Sequence, residues 1–159
     1  MIRFIEGDDI FAVEADIYVI TVNCVGVMGA GLAKSFRDRH PPLYQQYRKD
    51  CRKGDIRIGT CQLYDGPDEK RYLMFPTKDT WREPSLQLYI AHGLDWLIEA
   101  SAQWLDPTAH IVMSPLGCHN GGLSFHEVSL MIERAAQDII NPITVVYPWY
   151  QLPHPSLMT

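Results

Sequence analysis

Apolar residues recur along this chain in two rhythms, short unbroken or alternating runs and longer stripes at helical spacing. Residues 2–6 (IRFIE) alternate and close on Gly7-Asp8-Asp9, which predicts a first strand and a turn. Residues 16–22 (DIYVITV) are almost free of polar groups, the pattern of a strand buried on both faces. Further strands are predicted over 60–65, 72–75, 110–114 and 144–147. A helix is expected over Leu32–Arg39, stopped by Pro41-Pro42, and a second over 43–52 with Leu43, Tyr44, Tyr47 and Cys51 on one side. A third runs from Ser85 to Ala102 with the stripe Leu86, Ile90, Leu94, Leu97, Ile98. The last begins at Ser124, where Ser-Phe-His-Glu reads as a capping box. Its stripe Val128, Met131, Ile132, Ala135, Ala136, Ile139, Ile140 continues without a gap to Pro142, and the tail from Pro148 is expected to be irregular.

Strands alternating with helices imply one sheet with helices on both faces, and such sheets bind ligands in the loops at the carboxyl ends of their strands. Two Gly-rich segments fall in that position. Asn23-Cys24-Val25-Gly26-Val27-Met28-Gly29-Ala30-Gly31 follows the second strand, and Pro115-Leu116-Gly117-Cys118-His119-Asn120-Gly121-Gly122-Leu123 follows the strand at 110–114. Glycine lets backbone amides approach phosphate oxygens, and the next helix adds positive potential. Neither segment is a G-x-x-x-x-G-K-[ST] loop or a G-x-G-x-x-G fingerprint. Two matching strand–loop–helix contexts favour a diphosphate cradle over simple tight turns.

Composition narrows the function classes. The chain has 159 residues, the size of one domain, and 47% are hydrophobic, enough for a core. A formal charge of −5 argues against bulk binding of duplex nucleic acid through its backbone, while leaving room for a local basic patch. Cys24, Cys51, Cys61 and Cys118 form no C-x-x-C pair and no zinc spacing, so no metal is expected. MIRFIEGDDI lacks the layout of a signal peptide, and no apolar stretch of spanning length occurs, so a cytoplasmic protein without a membrane partner is expected.

Four polar residues stand where loops face a pocket. Lys78 follows Phe75-Pro76-Thr77 at a strand end, opening a polar loop that runs to Pro84. A lysine there is either a solvated surface group or an amine able to act as nucleophile or base in a dry site. His119, inside the second Gly-rich loop, is either a phosphate donor or base, or an exposed loop histidine. Asp8 or Asp9 could accept from an adenine amino group or simply form the turn. No G-x-S-x-G elbow supports a serine hydrolase.

Together these blocks resemble the macrodomain family, and most closely its DarG-type branch of DNA ADP-ribosylglycohydrolases. Thr21-Val22-Asn23-Cys24-Val25-Gly26-Val27-Met28-Gly29-Ala30-Gly31-Leu32-Ala33 is similar to that branch's first loop. Phe75-Pro76-Thr77-Lys78 with Trp81-Arg82 and Ser85 is similar to its lysine segment. Pro115-Leu116-Gly117-Cys118 with Asn120-Gly121-Gly122-Leu123 is similar to its diphosphate loop.

The resemblance implies one macrodomain over 1–159, a three-layer α/β/α fold with a mixed central sheet flanked by helices, and a deep ADP-ribose cleft. It assigns Asp8 or Asp9, with Ile10, to the adenine end and Asn23 to the distal ribose. Val27, Met28, Gly29, Ala30 and Gly31 would wrap the diphosphate and distal ribose from one side, with Thr77 beside them. Pro115, Gly117, Cys118, His119, Asn120, Gly121, Gly122 and Leu123 would wrap it from the other. Lys78 would carry catalysis, with Asn23 and His119 as further catalytic candidates.

It also implies an antitoxin that hydrolyses the bond between ADP-ribose and DNA, linked through thymidine. The alternatives are ADP-ribosylated protein carboxylates, acetyl- or phospho-ADP-ribose, or a reader without catalysis. The partners would be ADP-ribosylated DNA or protein and a cognate ADP-ribosyltransferase toxin. No cofactor is expected, ADP-ribose being product or ligand, and the protein is expected to act as a monomer. Three positions depart from the family pattern. His119 stands for a usual glycine, Phe125 for a common tryptophan, and Gly121 for the aspartate that a related protein-deADP-ribosylating branch pairs with its lysine.

Overall fold

The described residues, 1–158 of the computed structural model, form six strands and four α-helices. The strands are β1 (Ile2–Glu6), β2 (Ile17–Asn23), β3 (Gln62–Asp65), β4 (Arg71–Lys78), β5 (Ile111–Met113) and β6 (Ile143–Tyr147). The helices are α1 (Gly31–Arg39), α2 (Pro41–Lys53), α3 (Gln87–Gln103) and α4 (Phe125–Ala136). Strand order is β1-β6-β5-β2-β4-β3, parallel throughout except for β3, which pairs antiparallel with β4 at the edge. The expected mixed sheet of an α/β/α domain is therefore present.

The alternation of each strand sorts its residues onto two apolar layers. Ile17, Val19, Leu73, Phe75, Ile111 and Met113 face α3 and α4. Tyr18, Ile20, Val22, Tyr72, Met74 and Val112 face α1 and α2. Full burial of each such side chain stabilises the fold by about 1.5–3 kcal/mol before chain entropy is counted. α3 lies unusually close to the sheet at Gly93. A Cβ on that glycine would sit 2.2 Å from the Phe75 ring, so the helix gives up the roughly 1 kcal/mol that alanine offers to let the ring in.

Several expected boundaries shift for physical reasons. The strand expected at 72–75 continues through Pro76, Thr77 and Lys78, so the polar loop starts later. β3 stops pairing at Met74, which leaves β4 a partner on the β2 side alone where proline lacks its N–H. The strand expected at 60–65 begins at Gln62. α2 starts at Pro41 rather than 43, because proline suits the first turn of a helix as well as it ends the previous one.

α3 starts at Gln87 rather than Ser85, because Ser85 is used elsewhere. The capping box does not close. Ser124 is the N-cap residue but makes no side-chain cap bond, and the Glu127 carboxylate accepts from Gln87 Nε2 instead, tying α4 to α3. α4 also ends at Ala136, short of Pro142. Ile140 is exposed, and its amide donates to Ser101 Oγ at 2.8 Å.

Candidate active site

β2 and β4 run side by side and end together, and an irregularity at their ends sets the site. Val22 pairs with Pro76, but Asn23 pairs with Lys78, so Thr77 is an extra residue on β4. That bulge brings Lys78 directly opposite Asn23, and bulges are a common means of re-aiming side chains beside active sites. The two loops stay joined beyond the sheet, where the Cys24 amide donates to the Asp79 carbonyl at 3.0 Å.

Asn23 is buried and nearly saturated. Its Oδ1 accepts from the amides of Val25 (3.1 Å) and Val27 (3.3 Å), and its Nδ2 donates to the Val27 carbonyl (2.8 Å). Tyr47 Oη, from α2, lies 2.7 Å from the Asn23 carbonyl and 3.0 Å from its Oδ1. The side chain thus shapes the first Gly-rich loop, and one Nδ2 hydrogen remains for a ligand. Burial raises the Tyr47 hydroxyl well above its ordinary range, so it stays a neutral donor.

Lys78 is half-buried, and among the described residues its Nζ donates only to the Trp81 carbonyl at 3.5 Å, a long contact that leaves the amine available. Thr77 is buried beside it. His119 is exposed, and its ring makes no hydrogen bond among the described residues.

The second Gly-rich loop is held from three sides. Leu123 N donates to the Gly117 carbonyl (3.0 Å), Ser85 N donates to the Gly121 carbonyl (3.0 Å), and Gln151 Nε2 donates to the Cys118 carbonyl (3.1 Å). The amides of His119, Asn120 and Gly121 have no acceptor among the described residues. A Cβ on Gly121 would lie 2.3 Å from both the Gly117 carbonyl oxygen and Ser85 Oγ. An aspartate could not stand at this position without moving the loop.

Opposite this loop, α1 starts at Gly31 with no side-chain cap on Ala30, so its first amides are also unspent. The loops approach each other closely, with Asn120 Nδ2 3.6 Å from where a Gly31 Cβ would be.

Between them lies a cavity of about 960 Å³. Asp8, Asp9 and Ile10 line one part, with Val146, Pro148 and Tyr150. Val27, Gly29, Ala30, Gly31, Pro115, Gly117, Cys118, His119, Asn120 and Gly121 line its walls. Asn23, Thr77, Lys78 and Trp81 also line it. The sequence-predicted residues therefore come together, with three exceptions. Met28 is fully buried in the apolar layer under α1, Leu123 packs into the other layer, and Gly122 turns the chain at φ 81°; none of the three lines the cavity.

The aspartates are unequal. Asp9 Oδ1 accepts from Phe11 N at 2.9 Å, capping the 3-10 turn Ile10–Ala12, and its Oδ2 faces Arg39 at 3.7 Å. The Asp8 carboxylate makes no hydrogen bond or ion pair among the described residues. Burial pushes the Cys118 thiol up to about 12, so it lines the cavity as a neutral group. Among the described residues no three His, Cys, Asp or Glu side chains group as a metal site.

The family model of the Macro domain matches residues 19–132, most of the chain. The chain belongs to the macrodomain family. It is 39% identical over 154 residues to a DNA ADP-ribosyl glycohydrolase of Mycobacterium tuberculosis, covering 93% of this chain and 42% of that protein. It is 27% identical over 165 residues to a DNA ADP-ribosyl transferase–DNA ADP-ribosyl glycohydrolase fusion protein of Thermosipho africanus, covering 92% of this chain and 42% of the fusion. The chain thus spans about two fifths of the length of these relatives.

Among solved structures, the macrodomain of Mycobacterium tuberculosis DarG superposes with a TM-score of 0.85 at 36% identity, covering 93% of this chain and 97% of that one. Thermosipho africanus DarTG in complex with ADP-ribose gives 0.84 at 26% identity, covering 94% and 42%.

Some residues of this macrodomain's site carried no site signal in the sequence. Tyr47 was legible only as part of a helical stripe, and Trp81 only as part of the lysine segment. Val146, Pro148, Tyr150 and Gln151 belong to the last strand and the tail after it, which was expected to be irregular and whose return to the cleft no pattern marks.

Proposed function

We propose that this macrodomain is an ADP-ribosylglycohydrolase that removes ADP-ribose from DNA. The observation that carries the reading is the cavity walled by two loops whose amides are unspent, with a half-buried lysine opposite Asn23. The relative from Mycobacterium tuberculosis named as a DNA ADP-ribosyl glycohydrolase supports the choice of DNA. The fusion protein from Thermosipho africanus supports a transferase of the opposite activity as a partner.

In this reading the adenine amino group donates to Asp8, whose carboxylate is free, while Asp9 is spent on its own turn. Tyr150 supplies an apolar wall beside the base. The diphosphate lies between the start of α1 and the His119–Gly121 amides, which orient it without taking part in bond chemistry. The free Nδ2 hydrogen of Asn23 meets a distal ribose hydroxyl.

Water then adds at the anomeric carbon, the bond to the nucleobase breaks, and the base leaves with a proton. Positive charge develops on the anomeric carbon as in other glycosyl transfers. Lys78 Nζ acts at that centre or on the leaving group.

The test offers three substrates side by side: ADP-ribosylated single-stranded DNA, glutamate-ADP-ribosylated protein and acetyl-ADP-ribose. Release from the DNA well above the other two is expected. Release from protein or acetyl-ADP-ribose alone would replace the substrate. Binding of ADP-ribose with no release from any of them would make the protein a reader.

A further inference from the structure

Arg37, Arg48 and Arg52 line a second recess, of about 360 Å³, on the α2 side of the first Gly-rich loop. Its remaining walls are Tyr44 and the loop residues Val25–Gly29, so Val27 and Gly29 face both the recess and the ADP-ribose cavity. Gly26 rests against the backbone of Arg48, with 3.6 Å between its Cβ position and the Arg48 Cα. The recess is therefore one loop thickness from the catalytic end of the cleft.

The charges in it are mostly uncompensated. Arg37 lies 3.4 Å from Asp38, a carboxylate it shares with Lys34. Arg48 and Arg52 have no carboxylate partner among the described residues. The guanidinium groups of Arg37 and Arg48 sit 5.9 and 5.7 Å from the Tyr44 ring centroid. At these distances both cations lie within reach of the ring's negative face, and their N–H groups stay free for an anion. Arg48 and Arg52 are one helical turn apart on the same face of α2, so their charges project in a row. In a chain of net charge −5, this cluster is a local exception.

We infer that this recess docks the phosphate backbone of single-stranded DNA flanking the modified nucleotide, an inference that rests on the reading of DNA as substrate. A row of guanidinium groups without carboxylate partners suits a polyanionic backbone, and Arg forms the directed, paired bonds that phosphate oxygens accept. The strand is single because the base bonded to ADP-ribose must leave its stack to bring the glycosidic bond into the cleft, and that is least costly outside a duplex. Backbone held at the recess would then present the modified base across Val27 and Gly29 toward Lys78.

The experiment uses the double variant Arg48→Gln/Arg52→Gln, which removes both charges but keeps polar side chains, at positions that do not line the ADP-ribose cavity. Release of ADP-ribose is measured from a modified single-stranded oligonucleotide and from the modified mononucleoside, at several salt concentrations. The variant is expected to lose about tenfold in kcat/KM on the oligonucleotide at low salt, with a salt slope shallower by about 1.4 for two lost phosphate contacts. Turnover of the mononucleoside should stay within twofold. Equal losses on both substrates, or no loss on either, would overturn the inference.

If the parent acts on modified protein and on neither DNA substrate, the reading of DNA as substrate fails. The recess is then decided by fluorescence anisotropy with an unmodified labelled strand. Binding by the parent that the variant loses keeps the inference, and no binding by the parent overturns it.

Discussion

Lys78 stands directly opposite Asn23 across the β2–β4 pair because one extra residue, Thr77, has been inserted just before it. Without that bulge Thr77 would face Asn23 and the lysine would fall one residue further along the loop. Alternation along β4 would then send the two side chains to opposite faces, because a one-residue slip reverses every side chain. The pairing of Lys78 with Asn23 at this end of the cleft is thus made by register.

Tyr47 holds the other half of that pair. Tyr47→Phe removes the hydroxyl that lies 2.7 Å from the buried Asn23 carbonyl. A buried acceptor left alone costs about 1–3 kcal/mol, so urea denaturation should show a loss of that size. ADP-ribose affinity should fall several-fold as the first Gly-rich loop loosens. An unchanged stability and affinity would mean that Asn23 holds the loop unaided.

Gly121→Ala tests the tightness of the second loop. The added methyl would overlap the Gly117 carbonyl and Ser85 Oγ at 2.3 Å, and both belong to the frame that carries the unspent amides. Overpacking of this kind costs about 1–3 kcal/mol. Calorimetry should show at least a tenfold loss of ADP-ribose affinity. Affinity equal to the parent's would place the diphosphate away from this loop.

How much of this could be read from the chain divides along physical lines. β1, β2 and the α3 and α4 stripes were legible because burial imposes periods of two or 3.6 on hydrophobicity. The two Gly-rich loops were legible because only glycine permits such backbone approach. The bulge at Thr77 was not, since register depends on the neighbouring strand, and Phe-Pro-Thr-Lys looks the same with or without it. Nor were the roles of Ser85 and Gln151, whose bonds to Gly121 and Cys118 span 33 residues or more. The capping box at Ser124 had the right letters, but its glutamate found a better partner on α3.

His119 departs from the glycine expected at its position, and its ring is exposed with no hydrogen bond among the described residues to orient it. A general base must be held in place to help, so His119→Gly should leave turnover within several-fold of the parent. A fall of roughly 100-fold or more would make the histidine an acid–base group.

Cys118 lines the cavity but is unfit as a nucleophile. With burial pushing its thiol up to about 12, only about one molecule in ten thousand carries the thiolate at pH 8. The thiolate fraction grows tenfold per pH unit up to the pKa, so alkylation should be slow at pH 7–8 and accelerate steadily above it. Cys118→Ser should retain turnover. Rapid loss of activity with iodoacetamide at neutral pH would contradict the assignment.

Whether Lys78 acts on the bond that is cut is tested most directly by Lys78→Ala, with binding and turnover measured on the same preparation. The substitution removes an amine whose one hydrogen bond among the described residues is the long one to the Trp81 carbonyl, so the fold should not change. Calorimetry should find ADP-ribose bound within several-fold of the parent, while release from modified single-stranded DNA collapses. Retained binding with lost turnover assigns the amine to the transition state. Release at the parental rate would contradict the account and move the chemistry to Asn23 and a bound water.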